Sequence, residues 1–259
     1  MRGLALLPAI LLVCGAPTVQ AALTEADLAA VELSPPPGAR LAAGLPLVDE
    51  TGRAVTPAQL LGGRPAVLVF ADYTCTFLCG TALGMAAASL EATRLRAGED
   101  YTFAVLGLDP RDGPLEAAAL KAARLGRSPL AATTRFLTGD AATLASVQAT
   151  LGYTARYDAA NDQYAHPLGA LVLAADGRVS RVLGGIDLDP DTLRLGLVEA
   201  SSGQLGSLGD RLRLLCYGFD GARGIYTAWV KRALTLGTAG TVLGLGLFLF
   251  LLNRRGRRA

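Results

Sequence analysis

Hydrophobic residues in the middle of this chain gather into short unbroken runs set apart by polar and turn-forming stretches. The run Ala66–Ala71 (Ala-Val-Leu-Val-Phe-Ala) follows Gly62-Gly63-Arg64-Pro65 and has the pattern of a strand buried on both faces. Residues 102–108 give a second such strand. Between them, residues 81–96 are rich in Ala, Leu and Met, with polar residues collecting toward the end, and predict a helix. Pro114 starts another helix, to residue 125, and Asp140 caps one that runs through residue 151. Residues 168–174 and 179–183 flank Asp176-Gly177 as strand, tight turn and strand, and Asp189-Pro190 opens a last helix to about residue 201. Ahead of all these, residues 45–48 read as a short strand turning at 49–53.

Strands alternating with helices and closing on a hairpin and a helix predict an α/β domain with a mixed sheet flanked by helices. Cys75 and Cys79 follow the first buried strand directly, so a reactive pair lies beyond the C-terminal end of a central strand. This is the thioredoxin-like arrangement, although flavodoxin-like sheets share its early alternation.

The two ends have a different character. Hydrophobic residues make up 51% of the 259 and mean hydropathy is +0.39, above what a soluble domain needs. Met1-Arg2, an apolar stretch over 4–13 and Val19-Gln20-Ala21 read as an export signal over residues 1–21. Cys14 falls inside that leader. Residues 233–252 are uncharged and rich in Leu, Gly and Phe, long enough for one C-terminal transmembrane helix. The arginine-rich tail 253–259 follows at once and assigns the C-terminus to the cytoplasm, with Tyr226 and Trp229 fitting the opposite interface. Between the ends lie a proline-rich linker (22–40), the folded domain (41–201) and a juxtamembrane segment (202–232). Net charge is only +2 and no basic stripe carries interleaved aromatics, which excludes a nucleic-acid partner.

His166 is the only histidine of the chain. If the helix begins within the cysteine segment, Cys75 and Cys79 project from one face a turn apart, and the helix N-terminus favours the thiolate. Two sulfurs and one imidazole suit Cu(I), or Cu(II) with a further oxygen ligand, and zinc with a bound water remains chemically allowed. A static disulfide is the bland alternative for the cysteines. A bridge enclosing three residues removes little chain entropy. A lone histidine is more often a satisfied core or surface residue than a ligand.

Three separated segments together resemble the Sco/SenC family, thioredoxin-like copper proteins of cytochrome c oxidase assembly. They are Val67 to Cys79, ending Asp-Tyr-Thr-Cys-Thr-Phe-Leu-Cys; Leu108-Asp109-Pro110-Arg111-Asp112-Gly113-Pro114; and Tyr164-Ala165-His166-Pro167-Leu168, leading to Asp176-Gly177-Arg178. The resemblance implies copper as the bound metal and Cys75, Cys79 and His166 as its ligands. It implies a membrane-tethered exported protein that delivers copper to the binuclear copper site of the oxidase, or prepares the cysteines of that site. The oxidase's copper-bearing subunit, or another exported thiol or copper protein, is then the partner. A bacterial subgroup of the family shares the C-terminal extension with its terminal span.

Thr76 stands where the family usually has proline, and Gly80 where a bulkier residue or proline is common. Asp109-Pro110-Arg111-Asp112 is read as a capped turn rather than a metal contact, while Tyr73 either lines the site or ends its strand. Pro167 is read as a strand-start proline, though thioredoxin-like oxidoreductases place a cis-proline opposite their cysteines. The same cysteines support an alternative: a thiol-disulfide oxidoreductase with Cys75 and Cys79 as redox-active residues, acting on an exported partner. A peroxiredoxin-like peroxidase is a distant third reading, because no Pro-x-x-x-Thr precedes Cys75. Cys216 is left as an odd cysteine, either intermolecular, metal-related or buried.

Overall fold

The computed structural model describes residues 23–76, 79–185 and 188–201, together with 219–220, 225–226, 235–236, 238, 241 and 244–245. The chain opens with α1 (Glu25–Ala29), held by a Thr24/Asp27 capping box, and β1 (Glu32–Leu33). There follow β2 (Leu47–Asp49), β3 (Ala54–Val55), α2 (Pro57–Leu61), β4 (Ala66–Ala71), α3 (Cys79–Ala92), β5 (Thr102–Gly107) and α4 (Pro114–Leu125). The second half is β6 (Arg135–Thr138), α5 (Ala141–Leu151), β7 (Tyr153–Thr154), β8 (Arg156–Asp158), β9 (Gln163–Ala165), β10 (Gly169–Leu173), β11 (Val179–Gly184) and α6 (Pro190–Ala200). A further pair, β12 (Phe219–Asp220) and β13 (Ile225–Tyr226), is antiparallel.

Seven strands form one mixed sheet in the order β11-β10-β4-β5-β6-β2-β3. Strands β4, β5 and β6 are parallel, and the strands on either side of them are antiparallel. The reason lies in β4 and β5, whose twelve positions are all buried. Strands without a polar face must be covered on both sides, and crossover helices do that. Side chains alternate: Val67, Val69 and Ala71 pack with Leu83, Leu90, Leu120, Leu193 and Leu197 from α3, α4 and α6. Leu68 and Phe70 pack on the other side with Leu60, Leu61, Leu144 and Leu151 from α2 and α5. Each fully buried leucine contributes about 1.5–3 kcal/mol relative to exposure.

Helices α4, α5 and α6 begin where their caps indicate. The side chains of Asp140 and Asp189 accept from Thr143 and Thr192 amides, and the Glu116 carboxylate accepts from the Gly113 amide. Helix α3 starts two residues earlier than expected, at Cys79, and stops at Ala92, because Arg94 takes a left-handed φ of 60°.

The segment 22–40, read as a proline-rich linker, is tied to the domain: Leu33 pairs with Tyr153, and the Ser34 amide donates to the Gly152 carbonyl at 2.8 Å. Gly152 permits this approach, for it has a φ of 61° and a Cβ there would lie 2.1 Å from the Ser34 carbonyl oxygen. The export signal (1–21), Cys216, most of the span 233–252 and the tail 253–259 lie outside the described residues. Among those described, no helix is long and apolar enough to cross a membrane.

Candidate metal and thiol site

Strand β4 delivers the chain to Asp72, a carboxylate only 1% exposed. Its Oδ1 accepts from the Thr74 amide and hydroxyl, both at 3.1 Å, and its Oδ2 accepts from the Tyr164 amide at 2.8 Å. The Cys75 amide closes the turn on the Asp72 carbonyl at 3.3 Å. An aspartate bonding the backbone two residues on is a turn-builder, so this buried side chain sets the loop that presents Cys75. Cys75 is a half-buried free thiol.

Tyr73, next along, is an anchor. Its hydroxyl donates to the carbonyls of Leu137 (2.7 Å) and Val105 (3.1 Å). Burial pushes the phenol's pKa well above the usual tyrosine range.

Cys79 is the first residue of α3. Positions 82, 83 and 86 lie three, four and seven residues on, so residue 79 shares their helical stripe. Ala82, Leu83 and Ala86 line a cavity of about 30 Å³ together with Phe70, Leu168 and His166. The remote histidine therefore returns to the helix that Cys79 opens. Among the described residues no three His, Cys, Asp or Glu side chains are grouped to hold a metal, and the Cys79 side chain lies outside that description.

His166 is fixed from behind. Its Nδ1 lies 3.0 Å from the Tyr153 hydroxyl and 3.2 Å from the Pro167 carbonyl oxygen, and the Tyr153 hydroxyl donates to that same carbonyl at 3.1 Å. A carbonyl only accepts, so the consistent assignment makes Nδ1–H the donor and puts the ring's lone pair on Nε2. A ligating histidine is held in this way, with its other nitrogen bonded to protein. Tyr153 is itself immobilised by stacking on Phe70, with ring centroids 3.9 Å apart. Burial lowers the His166 pKa, opposed by the Pro167 carbonyl and the Asp72 charge. The neutral imidazole, the form that binds metal, is favoured.

The Asp-Pro-Arg-Asp segment is a capped turn. Asp109 Oδ1 accepts from the Arg111 amide at 2.8 Å, and the Asp112 amide donates to the Asp109 carbonyl at 3.1 Å. Arg111 Nε also reaches both oxygens of Asp109 at 2.9 Å. Asp112 is buried and has its pKa pushed up to about 6, first by burial and then by the charges of Asp109 and Asp72.

Asp72, Tyr153 and Gln163 were not among the residues the sequence singled out. A lone carboxylate closing an apolar strand just before a cysteine is the one signal that could have found Asp72. Pro167 is preceded by a trans peptide bond and leads into β10, as a strand-start proline. Gly80 has a local use too: a Cβ there would fall 2.2 Å from Arg124 Nε, whose guanidinium covers the first turn of α3.

The SCO1/SenC family model matches residues 35–197. No curated protein matches the chain. Among solved structures, BsSco, described as having a disulfide switch and as a member of the Sco family of cytochrome c oxidase assembly proteins, is 18% identical. It has a TM-score of 0.54 and covers 64% of this chain and 96% of its own. A SCO1/SenC family lipoprotein from Bacillus anthracis str. Ames is 16% identical, with a TM-score of 0.51 and coverage of 62% and 97%. ScoI of Bradyrhizobium japonicum, solved with copper bound, is 22% identical, with a TM-score of 0.49 and coverage of 62% and 99%. The first two likenesses establish the thioredoxin-like fold.

Proposed function

The chain belongs to the SCO1/SenC family, and on that premise we propose that it is an exported, membrane-tethered copper-binding protein. It delivers copper to the binuclear copper site of cytochrome c oxidase, or prepares that site's cysteines. Cys75, Cys79 and His166 hold the metal. The observation that carries this reading is the return of His166 to the stripe of α3 that Cys79 opens, with Nδ1 committed to Tyr153 and Pro167. Two thiolates select a soft ion such as Cu(I), and a neutral imidazole extends the set to Cu(II). Copper is the cargo, and the oxidase's copper-bearing subunit is the proposed recipient.

The proposed topology is a single C-terminal span, with the domain on the exported side and residues 253–259 in the cytoplasm. It is supported by the apolar leader and by the arginine cluster that ends the chain. Copper titration of the full-length chain in detergent tests the site. Affinity falls in Cys75→Ala and Cys79→Ala for both oxidation states and in His166→Ala chiefly for Cu(II). Unchanged Cu(II) affinity in His166→Ala removes the proposed chemistry.

A second reading, a thiol-disulfide oxidoreductase acting on an exported partner, draws on the half-buried free thiol of Cys75 just ahead of a helix start. It needs a reversible bond between Cys75 and Cys79 and does not need His166. Reductase activity that survives His166→Ala, with copper binding absent, would select it.

A further inference from the structure

The histidine is carried by a hairpin, β8 to β9, which stands apart from the main sheet and, among the described residues, pairs only with itself. Tyr164 packs against the core cluster of Leu68 and Phe70, but two strands alone are marginal. Among the described residues, three polar contacts with the two loops beyond the central strands add to that packing and set its position. The Tyr164 amide donates to Asp72 Oδ2 at 2.8 Å, and Gln163 Nε2 donates to Thr76 Oγ1 at 3.0 Å. At the hairpin's turn, Arg111 Nη2 donates to Asp162 Oδ1 at 2.7 Å, and the guanidinium lies 4.9 Å over the Tyr157 ring.

We propose that Arg111 is a positioning residue for His166: its guanidinium joins the buried Asp109 carboxylate to Asp162 at the hairpin tip and so seats the histidine arm over the cysteine loop. The guanidinium suits this task because it is a rigid fork. One edge pairs with Asp109, which cannot move because it is buried, and the remaining Nη2 donor reaches Asp162. Asp162 sits at a left-handed φ of 51°, the tip of the turn between the two strands. Its carboxylate also accepts from the Tyr157 hydroxyl, so both strands of the hairpin are gathered at this one charge pair. From the tip the chain runs through Gln163 and Tyr164, each bonded to the cysteine loop, directly to His166.

Thr76 has a part particular to this chain. Proline, the residue the family resemblance leads one to expect there, has no hydroxyl to receive Gln163. The threonine therefore adds a bond between the metal-bearing loop and the histidine arm. The inference rests on the copper reading above for its consequence, but the clamp itself can be measured without metal.

The test uses the full-length chain in detergent, with Arg111→Gln and Asp162→Asn. The second variant leaves the Asp109 pair intact and keeps a residue suited to the left-handed backbone. Amide exchange of Tyr164 in the metal-free protein reports whether the arm is seated, and Cu(II) and Cu(I) affinities report its effect on the site. Both variants are expected to speed Tyr164 exchange about tenfold and to weaken Cu(II) about tenfold, with Cu(I) changed by less than about threefold because thiolates suffice for it. In the His166→Ala background, Arg111→Gln is expected to cause no further Cu(II) loss.

Unchanged Tyr164 exchange overturns the clamp, whatever happens to copper. Faster exchange with wild-type Cu(II) binding overturns the positioning role, and equal losses for Cu(I) and Cu(II) do the same, because they mark a general loss of structure. Faster exchange in a protein whose Cu(II) binding ignores His166 leaves the clamp standing and overturns the copper reading.

Discussion

The hydroxyl of Tyr153 lies 3.0 Å from Nδ1 of His166, which joins the first residue of β7 to the residue that follows β9. Phe70 stacks on the far side of the tyrosine from within β4. The imidazole thus takes its orientation from the central strand that also delivers the cysteine loop.

Tyr153→Phe keeps the ring that stacks on Phe70 and removes only the hydroxyl. Cu(II) affinity is expected to fall about tenfold, the usual effect of losing a partner behind a ligating histidine. Unfolding free energy should drop by only about 1 kcal/mol. Copper titration beside a urea melt separates the two effects, and a loss of stability without a loss of Cu(II) affinity would confine Tyr153 to packing.

Asp112 gives stability an inverted dependence on pH. The folded chain holds its proton up to about pH 6, whereas an ordinary aspartate releases it near 3.8. Between these values the native state carries more protons than the unfolded one, so this group's contribution falls as pH rises through the window and is level above it. His166 acts in the other sense, its lowered pKa costing stability as pH falls below its ordinary 6.5. Comparing wild type with Asp112→Asn isolates the carboxyl. The variant should be more stable than wild type at pH 7, relative to the difference at pH 4, by on the order of 2 kcal/mol, measured by urea unfolding at both pH values.

Gly107→Ala should loosen the cysteine loop from below. A Cβ at 107 would lie 2.9 Å from Tyr73 Cε2 and 3.4 Å from the Leu137 carbonyl oxygen, which itself accepts from Tyr73. The ring has to move, at a cost of about 1–3 kcal/mol for overpacking. A thermal melt checks the stability, and faster alkylation of Cys75 by iodoacetamide checks that the disturbance reaches the loop.

The central strands were legible because nothing polar interrupts them, and α4, α5 and α6 were legible because Pro114, Asp140 and Asp189 mark their starts. Strand β6 was not. It has four residues, one an exposed arginine, and it is a strand only because β5 and β2 lie on either side. Helix α2 is a single capped turn whose Thr56 and Gln59 signal is local and short. The hairpin β8–β9 lacks any apolar alternation, and ion pairs and side-chain hydrogen bonds join the packing of Tyr164 in positioning it.

At the site, Cys75, Cys79 and His166 stood out by residue type. Asp72 and Tyr153 did not, because their roles arise from tertiary approach: Asp72 meets Tyr164 and Tyr153 meets His166 only once β9 and β10 are in place. The capped-turn reading of Asp109 to Asp112 agrees with the structure. The use of Arg111 beyond that turn has no counterpart in the local sequence.

The proposed copper chemistry requires His166 and the two cysteines to meet one metal ion. The absorbance and electron paramagnetic resonance spectra of the Cu(II)-loaded full-length chain, compared with those of His166→Ala, test this most directly. Wild type is expected to show a sulfur-to-Cu(II) charge-transfer band and hyperfine coupling from one imidazole nitrogen, with the nitrogen coupling lost and the band shifted in the variant. Identical spectra for the two proteins, or a wild-type spectrum without any sulfur band, would contradict a shared site of His166, Cys75 and Cys79.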